Sequence, residues 1–401
     1  MRILTVSAFY ETHGGGIEIV AAATARALAR LGHECRWAAA GFDAAPADTG
    51  LQPVPLAASD PLERWTGLPM PLPTRAACRQ LEQEIAAADG VIVHDALYVS
   101  SLLAARYATK HRKPWILIQH IGAIPFTNPL LRLAISAANR LVTRALFASA
   151  PQAVFISDAV RAQFAGTKWK RPPALLFNGV DHETFNMTAP EKRTDLRKRL
   201  GLADDRRQLL FVGRFVEKKG LAVIRSMAGT NPEWDFHLVG SGSIDPAAWQ
   251  LPNVRLLGRK NRNELAQLYQ AADALLLPSV GEGFPLVIQE AMACGLPVFC
   301  GPDSAEADPA AHRSLHAVEV DPRDATATAR RFAAAVEGVP LVPDTSLAAH
   351  ARLAYDWDAN ARWLETTLGA LQSASTEQPT TYLRFARSPF GSSQEPSAQQ
   401  P

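Results

Sequence analysis

Cysteine is scarce in this chain. Cys35, Cys78, Cys294 and Cys300 show no spacing of a metal knuckle or a redox pair. That sets aside a disulfide framework and a thiolate centre, and fits free thiols in a reducing compartment. An excess of one charge is also missing: 41 Lys and Arg stand against 39 Asp and Glu, a formal net charge of +2. Nucleic acid is therefore not the expected partner. No hydrophobic run is long enough to span a bilayer; the uncharged stretch Pro114–Leu131 is broken by three prolines and carries His120, Gln119 and Asn128. The opening MRILTVSAFYE has too short an apolar run for a signal peptide and reads as a strand. HExxH, Walker A, G-x-S-x-G and G-x-G-x-x-G motifs are absent. The pair Asp356/Asp358 reads as a helix start, so no metal and no cofactor are expected, in a cytoplasmic protein.

What is present is an alternation of short apolar runs and helical stretches, which predicts an α/β fold with parallel sheets. The 401 residues exceed one ordinary core, so two domains are expected. Strands are predicted at 2–8, 90–95, 114–120 and 153–157, with helices at 17–32 and 128–148. A second set of strands is predicted at 208–214, 235–240, 253–258, 274–279 and 296–301. The charged stretch PEKRTDLRKRLGLADDRR reads as a linker plus a surface helix. The expected organisation is a first domain over 1–185, a second over 186–354, an amphipathic helix over 355–372 and a disordered tail over 373–401.

Four features carry chemistry. The first is EGFPLVIQE (282–290); from Gly283 to Pro302, Glu290 is the only charged residue. A carboxylate in such company needs a partner. Pro285 suits a first helical position and Gly295 followed by Pro297 closes the helix. The free N–H groups at its start attract phosphate. Glu282 before this start and Glu290 beyond the first turn follow the order of a sugar nucleotide: sugar hydroxyls, diphosphate, ribose. The competing reading is a solvated loop acid and a partner for a buried arginine. The second feature is FVGRFVEKKGL, where Arg214 ends a strand and Lys219 follows, two cations able to neutralise a diphosphate; a solvated basic turn is the alternative. The third is HGGGIE, in which Gly15 and Gly16 let backbone N–H groups approach an anion, unless the glycines only connect strand to helix. The fourth is His120 at a strand end, placed to hydrogen-bond a substrate hydroxyl or to serve the core; His94 is similarly placed.

Taken in order, HGGGIE, QHIG, VFIS, NGVDHETF, FVGRFVEKKGL, LVGSGS, EGFPLVIQEAMACGLPV and YDW resemble glycosyltransferase family 4, retaining enzymes of the GT-B fold. The resemblance runs to about residue 372. It implies two facing Rossmann-like domains, with the YDW helix crossing back to the first. It also implies a UDP- or GDP-sugar donor and a glycan or lipid-linked glycan acceptor, in bacterial polysaccharide or lipopolysaccharide synthesis. By the same resemblance His120, Glu282, Arg214 and Lys219 form the catalytic set, Glu282 meeting the donor sugar and Glu290 the ribose. Gly15, Gly16, Gly258, Arg259, Lys260, Gly283, Phe284, Pro285, Leu286 and Val287 line the donor path, and catalysis needs no metal. Pro285 lacks an N–H, and CGPDSAEADPAA (300–311) matches the family pattern only loosely. The helix 128–148, with Arg132, Arg140 and Arg144, is expected either to pack ordinarily or to touch anionic membrane. A sugar-nucleotide epimerase, a phosphorylase and a non-catalytic donor-binding partner are the competing functions.

Overall fold

The structure, a computed structural model, describes residues 1–47, 50–61, 70–122, 133 and 136–376. Its first sheet contains β1 (Arg2–Val6), β2 (Glu34–Ala40), β3 (Leu51–Leu56), β6 (Gly90–His94), β7 (Trp115–Gln119), β8 (Gln152–Phe155) and β9 (Ala174–Leu175). The short β4 (Ala58–Ser59) and β5 (Leu72–Pro73) form a separate antiparallel pair. The order β3-β2-β1-β6-β7-β8-β9 is parallel throughout. The second sheet contains β10 (Gln208–Val212), β11 (Asp235–Val239), β12 (Val254–Gly258), β13 (Ala274–Leu277), β14 (Val298–Cys300) and β15 (His316–Ala317), in the order β12-β11-β10-β13-β14-β15. Central strands such as β6, β7, β10 and β13 are buried along their whole length, as parallel strands covered by helices on both faces must be.

Both sheets reverse their strand order at the first strand of the set, β1 in one and β10 in the other. In open parallel sheets this is where a crevice opens at the carboxyl ends. The two units meet near it: the Asp158 N–H donates to the Ala307 carbonyl at 2.7 Å. The Asn178 side chain donates to the Phe284 carbonyl at 3.4 Å, and Gln289 donates to the Asn178 carbonyl at 3.1 Å.

The terminal helix, Trp357–Thr376, lies on the first sheet. Its Ala361, Leu364, Leu368 and Leu371 share a core with Ile3, Ile92 and Ile116. The helix continues through Ser373–Thr376, past the expected start of the tail; positions 377–401 lie outside the described residues. In the stretch read as a linker plus a surface helix, Pro190–Leu200 is the helix. It is fastened to the second unit by Arg193 and Arg197, whose guanidinium groups lie 2.8 and 2.5 Å from Asp273. Of the expected helix 128–148, the described residues hold a π-helical turn at Asn139–Thr143 leading into the α-helix Arg144–Ser149. No described helix is long and apolar enough to cross a membrane.

Candidate active site

The E-x7-E segment begins just past β13. Its helix spans Leu286–Ala293, so Pro285 is the N-cap, with φ −61° and ψ 132°, rather than the first helical residue. An extended ψ before a helix turns the chain sharply, and the ring's fixed φ suits it. The free amides at the start therefore belong to Leu286 and Val287, and Glu290 stands four residues on, about 6 Å along the axis at the α-helical rise. Gly295 at φ +69° closes the helix: its N–H reaches the Met292 carbonyl and that of Leu296 the Ala291 carbonyl, the paired bonds of a left-handed glycine terminus.

Glu290 is not left alone among apolar neighbours, nor does it meet a buried arginine. The Tyr269 hydroxyl donates to its Oε2 at 3.1 Å. Burial still pushes the Glu290 carboxyl up to about 7, with the Tyr269 bond and the charge of Arg262 opposing the rise. Tyr269 comes from the helix Arg262–Ala271. Nothing in its local pattern announced this partner.

Glu282 sits in the loop before the helix, with Lys219 Nζ 3.0 Å and Lys218 Nζ 3.7 Å from its Oε1. Both lysines come from the turn Glu217–Lys219 after β10. Gly220 fixes that turn: it stands at φ +74°, and a Cβ there would lie 2.1 Å from the Pro278 carbonyl oxygen. Lys218, which the sequence pattern did not single out, is thus a second ammonium at the same carboxylate. Desolvation lowers its pKa, with Glu282 acting against that. Arg214, just past the end of β10, is exposed and holds no ion pair among the described residues.

His120 lies just past β7 and is buried. A Cβ on Gly283 would stand 2.2 Å from the His120 carbonyl oxygen, so the loop of the second unit is pressed onto the strand end of the first. Gly283→Ala should therefore hold the two units apart. Overpacking of this kind costs about 1–3 kcal/mol, which predicts a roughly tenfold or greater loss of turnover with unfolding temperature nearly unchanged.

At HGGGIE the helix starts at Gly16 with Gly15 as N-cap. The carboxylate of Glu18 folds back against the Gly15 Cα, where a Cβ would collide with Oε2. The anion position at this helix start is thus taken by the protein's own carboxylate. Its pKa is raised by burial, with its own backbone N–H, His13 and Arg214 working the other way.

The expected donor residues Gly258, Arg259 and Lys260 lie at the carboxyl end of β12, beside that of β11. The Gly240 N–H meets the Gly258 carbonyl at 2.9 Å, joining the two loops. Arg259 Nε donates to the Ser241 hydroxyl at 2.8 Å, and Lys260 pairs with Glu264 at 3.1 Å. Phe284 is buried and stands edge-on to Phe177 and Tyr355. Among the described residues no group of three or more His, Cys, Asp or Glu is placed to hold a metal ion.

The loosely matching loop after β14 also has a defined partner set. Asp308 accepts from the Tyr355 hydroxyl and pairs with His350, each at 2.7 Å. That ties the loop to the start of the crossing helix.

Comparison with known proteins agrees with this arrangement. The model of Glycosyltransferase Family 4 matches residues 14–184, and that of Glycosyl transferases group 1 matches residues 192–346. A Corynebacterium glutamicum protein, the GDP-mannose-dependent monoacylated alpha-(1-6)-phosphatidylinositol monomannoside mannosyltransferase, is 31% identical over 140 residues, 31% of this chain and 37% of its own. The curated relatives first matched are covered over about a third of their length. Among solved structures, a sucrose-phosphate synthase of Thermosynechococcus elongatus superposes with a TM-score of 0.70 at 19% identity, over 93% of this chain and 100% of that one. Anabaena HepE in complex with UDP and glucose gives 0.65 at 20% identity, over 92% and 100%. The chain therefore belongs to the glycosyltransferases of the GT-B fold, a Family 4 domain followed by a group 1 domain.

Proposed function

We propose that the protein is a retaining glycosyltransferase that moves a sugar from a UDP- or GDP-sugar to a glycan or lipid-linked glycan. Bacterial polysaccharide or lipopolysaccharide synthesis is the proposed setting. One observation carries this reading. Glu282, two lysines, a helix start and Glu290 follow one another along the second unit, and Gly283 among them touches the His120 carbonyl of the first. That order suits a sugar, a diphosphate and a ribose. The HepE complex, which holds UDP and glucose, supports a nucleotide-sugar donor.

In this reading Lys218, Lys219, Arg214 and the amides of Leu286 and Val287 stabilise the charge that grows on the leaving diphosphate. These groups supply the positive charge that a divalent ion gives elsewhere, so transfer proceeds without added metal. The proposed displacement takes place on the front face of the sugar, and the leaving phosphate oxygen takes the acceptor proton. Closure of the two units shields the reaction from water. A thermal-shift screen of UDP-, GDP- and ADP-sugars, followed by donor hydrolysis in EDTA, tests it. Stabilisation by a UDP- or GDP-sugar and metal-free turnover are expected; no stabilisation by any nucleotide sugar would refute the reading. The anomeric configuration of the released sugar, read by proton NMR, tests retention.

The proposed partner surface is an anionic membrane. Leu133, Leu141 and Val142 are exposed beside the exposed Arg140, a combination that suits a headgroup interface. Arg132 lies outside the described residues. Arg144 serves a different purpose: its guanidinium donates to the carbonyls of Ala165 and Gln163 and to the Thr167 hydroxyl, pinning the helix in place. Flotation with vesicles containing anionic lipid should carry the protein upward, and Leu141→Glu should leave it at the bottom. Failure of the unaltered protein to float refutes the membrane contact alone.

A further inference from the structure

Behind His120 stands a second histidine. β6 and β7 pair in parallel with His94 opposite Ile118. His120 is two residues beyond Ile118 and therefore faces the same side. The rings lie with centroids 5.2 Å apart and nearly parallel, and Nδ1 of His94 is 2.9 Å from Nε2 of His120. The neighbouring backbone is braced so that this spacing is fixed. Asp95 turns into the left-handed region at φ 64°. Its Oδ1 accepts from Gln119 Nε2 at 2.9 Å and from the Ala96 N–H at 3.0 Å. Ser101 donates to the His94 carbonyl at 3.1 Å.

His94 is fully buried and His120 keeps 3% of its surface exposed; burial lowers the pKa of each, that of His120 to about 3. The rings are neutral at physiological pH, so a single proton lies between them. Two arrangements satisfy the 2.9 Å bond. If His120 donates, His94 carries its proton on Nε2, which is buried and has no partner. A sealed N–H with no acceptor is the rarer and costlier defect. If His94 donates from Nδ1, its Nε2 is a bare acceptor, and the proton of His120 sits on Nδ1. Among the described residues that nitrogen has no hydrogen-bond partner, and unlike Nε2 of His94 it is not one of the sealed, unpartnered ring nitrogens.

We propose that His94 is a positioning residue: by donating from Nδ1 to Nε2 of His120, it fixes His120 as the Nδ1–H tautomer and so presents a hydrogen-bond donor to a substrate oxygen in the cleft. This rests on the transferase reading above. It makes His120 a donor and not a base, because its one open nitrogen already holds a proton. The acceptor proton must then leave by another route, as in the front-face displacement.

The test combines spectroscopy with kinetics on the full chain. Long-range proton–nitrogen spectra of protein carrying 15N-histidine distinguish the two tautomers, and the His94→Asn variant assigns the peaks. Both rings should report Nδ1–H. His94→Leu should lose roughly tenfold to a hundredfold in kcat, with donor KM changed less than about threefold, as expected when an orienting bond rather than donor binding is lost. His94→Asn, whose amide N–H falls where Nδ1–H was, should recover most of that loss. An Nε2–H signal from His120, or wild-type kcat in His94→Leu, overturns the proposal. If the leucine variant does not fold, the asparagine variant and the spectra decide. Should the unaltered protein transfer no sugar, the transferase reading fails, while the spectra still answer for the histidine pair.

Discussion

Lys219→Ala should lower kcat/KM for the nucleotide sugar by about 10²–10³-fold, the loss expected when one donor to a developing anion is removed. The effect is large because the ammonium is held in place before any ligand arrives. The short turn ending at Gly220 fixes the backbone, and Glu282 fixes the side chain at 3.0 Å. Lys219 is mostly enclosed, with 12% of its side chain exposed, so water cannot substitute for it with equal geometry. Glu282→Ala should behave differently. It removes the counter-charge, so UDP binding should be retained or strengthened, while turnover should fall because in the proposed reading the sugar loses its hydroxyl partner. Steady-state kinetics and UDP titration separate the two variants. Unchanged kcat/KM in Lys219→Ala would remove the diphosphate from this position.

The second large effect concerns pH. Burial raises the Glu290 carboxyl from its ordinary value of 4.5 to about 7. In the proposed reading a ribose diol donates its hydroxyl hydrogens to the ionised carboxylate, so ligand affinity follows the ionised fraction. Affinity for an intact nucleotide sugar should rise about tenfold between pH 6 and 8, since its diphosphate diester does not titrate there. In Glu290→Gln the affinity should be weak and flat across that range. Without ligand the sign is opposite. The folded protein binds a proton at Glu290 that the unfolded chain has already released, so this residue's contribution to stability declines as pH rises from 4.5 through about 7. Glu290→Gln should remove that decline in unfolding temperature. A wild-type affinity independent of pH would separate Glu290 from the ligand.

The most legible parts of the fold in the sequence were the buried central strands. RILTV, GVIVH, WILIQ and ALLL are predominantly apolar with no in–out alternation, the signature of strands covered on both faces. Two others were hidden for definite reasons. β2, ECRWAAA, ends in alanines that suit a helix equally well. β3, LQPVPL, carries Pro53 and Pro55, which argue against a strand. It forms because it is the edge of its sheet, where a missing N–H on the open side breaks no ladder bond. Within the stretch read as a linker plus a surface helix, the helix was legible but its anchoring was not, since the charges of Arg193 and Arg197 look solvent-bound until Asp273 is brought beneath them.

What the sequence by itself determined was the alternation that makes two parallel sheets and the spacing of Glu282 and Glu290 along one segment. Both are properties of neighbouring residues, fixed by the rise of a helix and the pleat of a strand. Only the tertiary structure decided the partners. Strand order puts the β10 turn beside the β13 loop, and so Lys218 and Lys219 beside Glu282. Helix packing brings Tyr269 to Glu290, and the β6–β7 register sets His94 behind His120. These contacts join residues far apart in the chain, and the energy that selects them is the burial of the sheets as a whole.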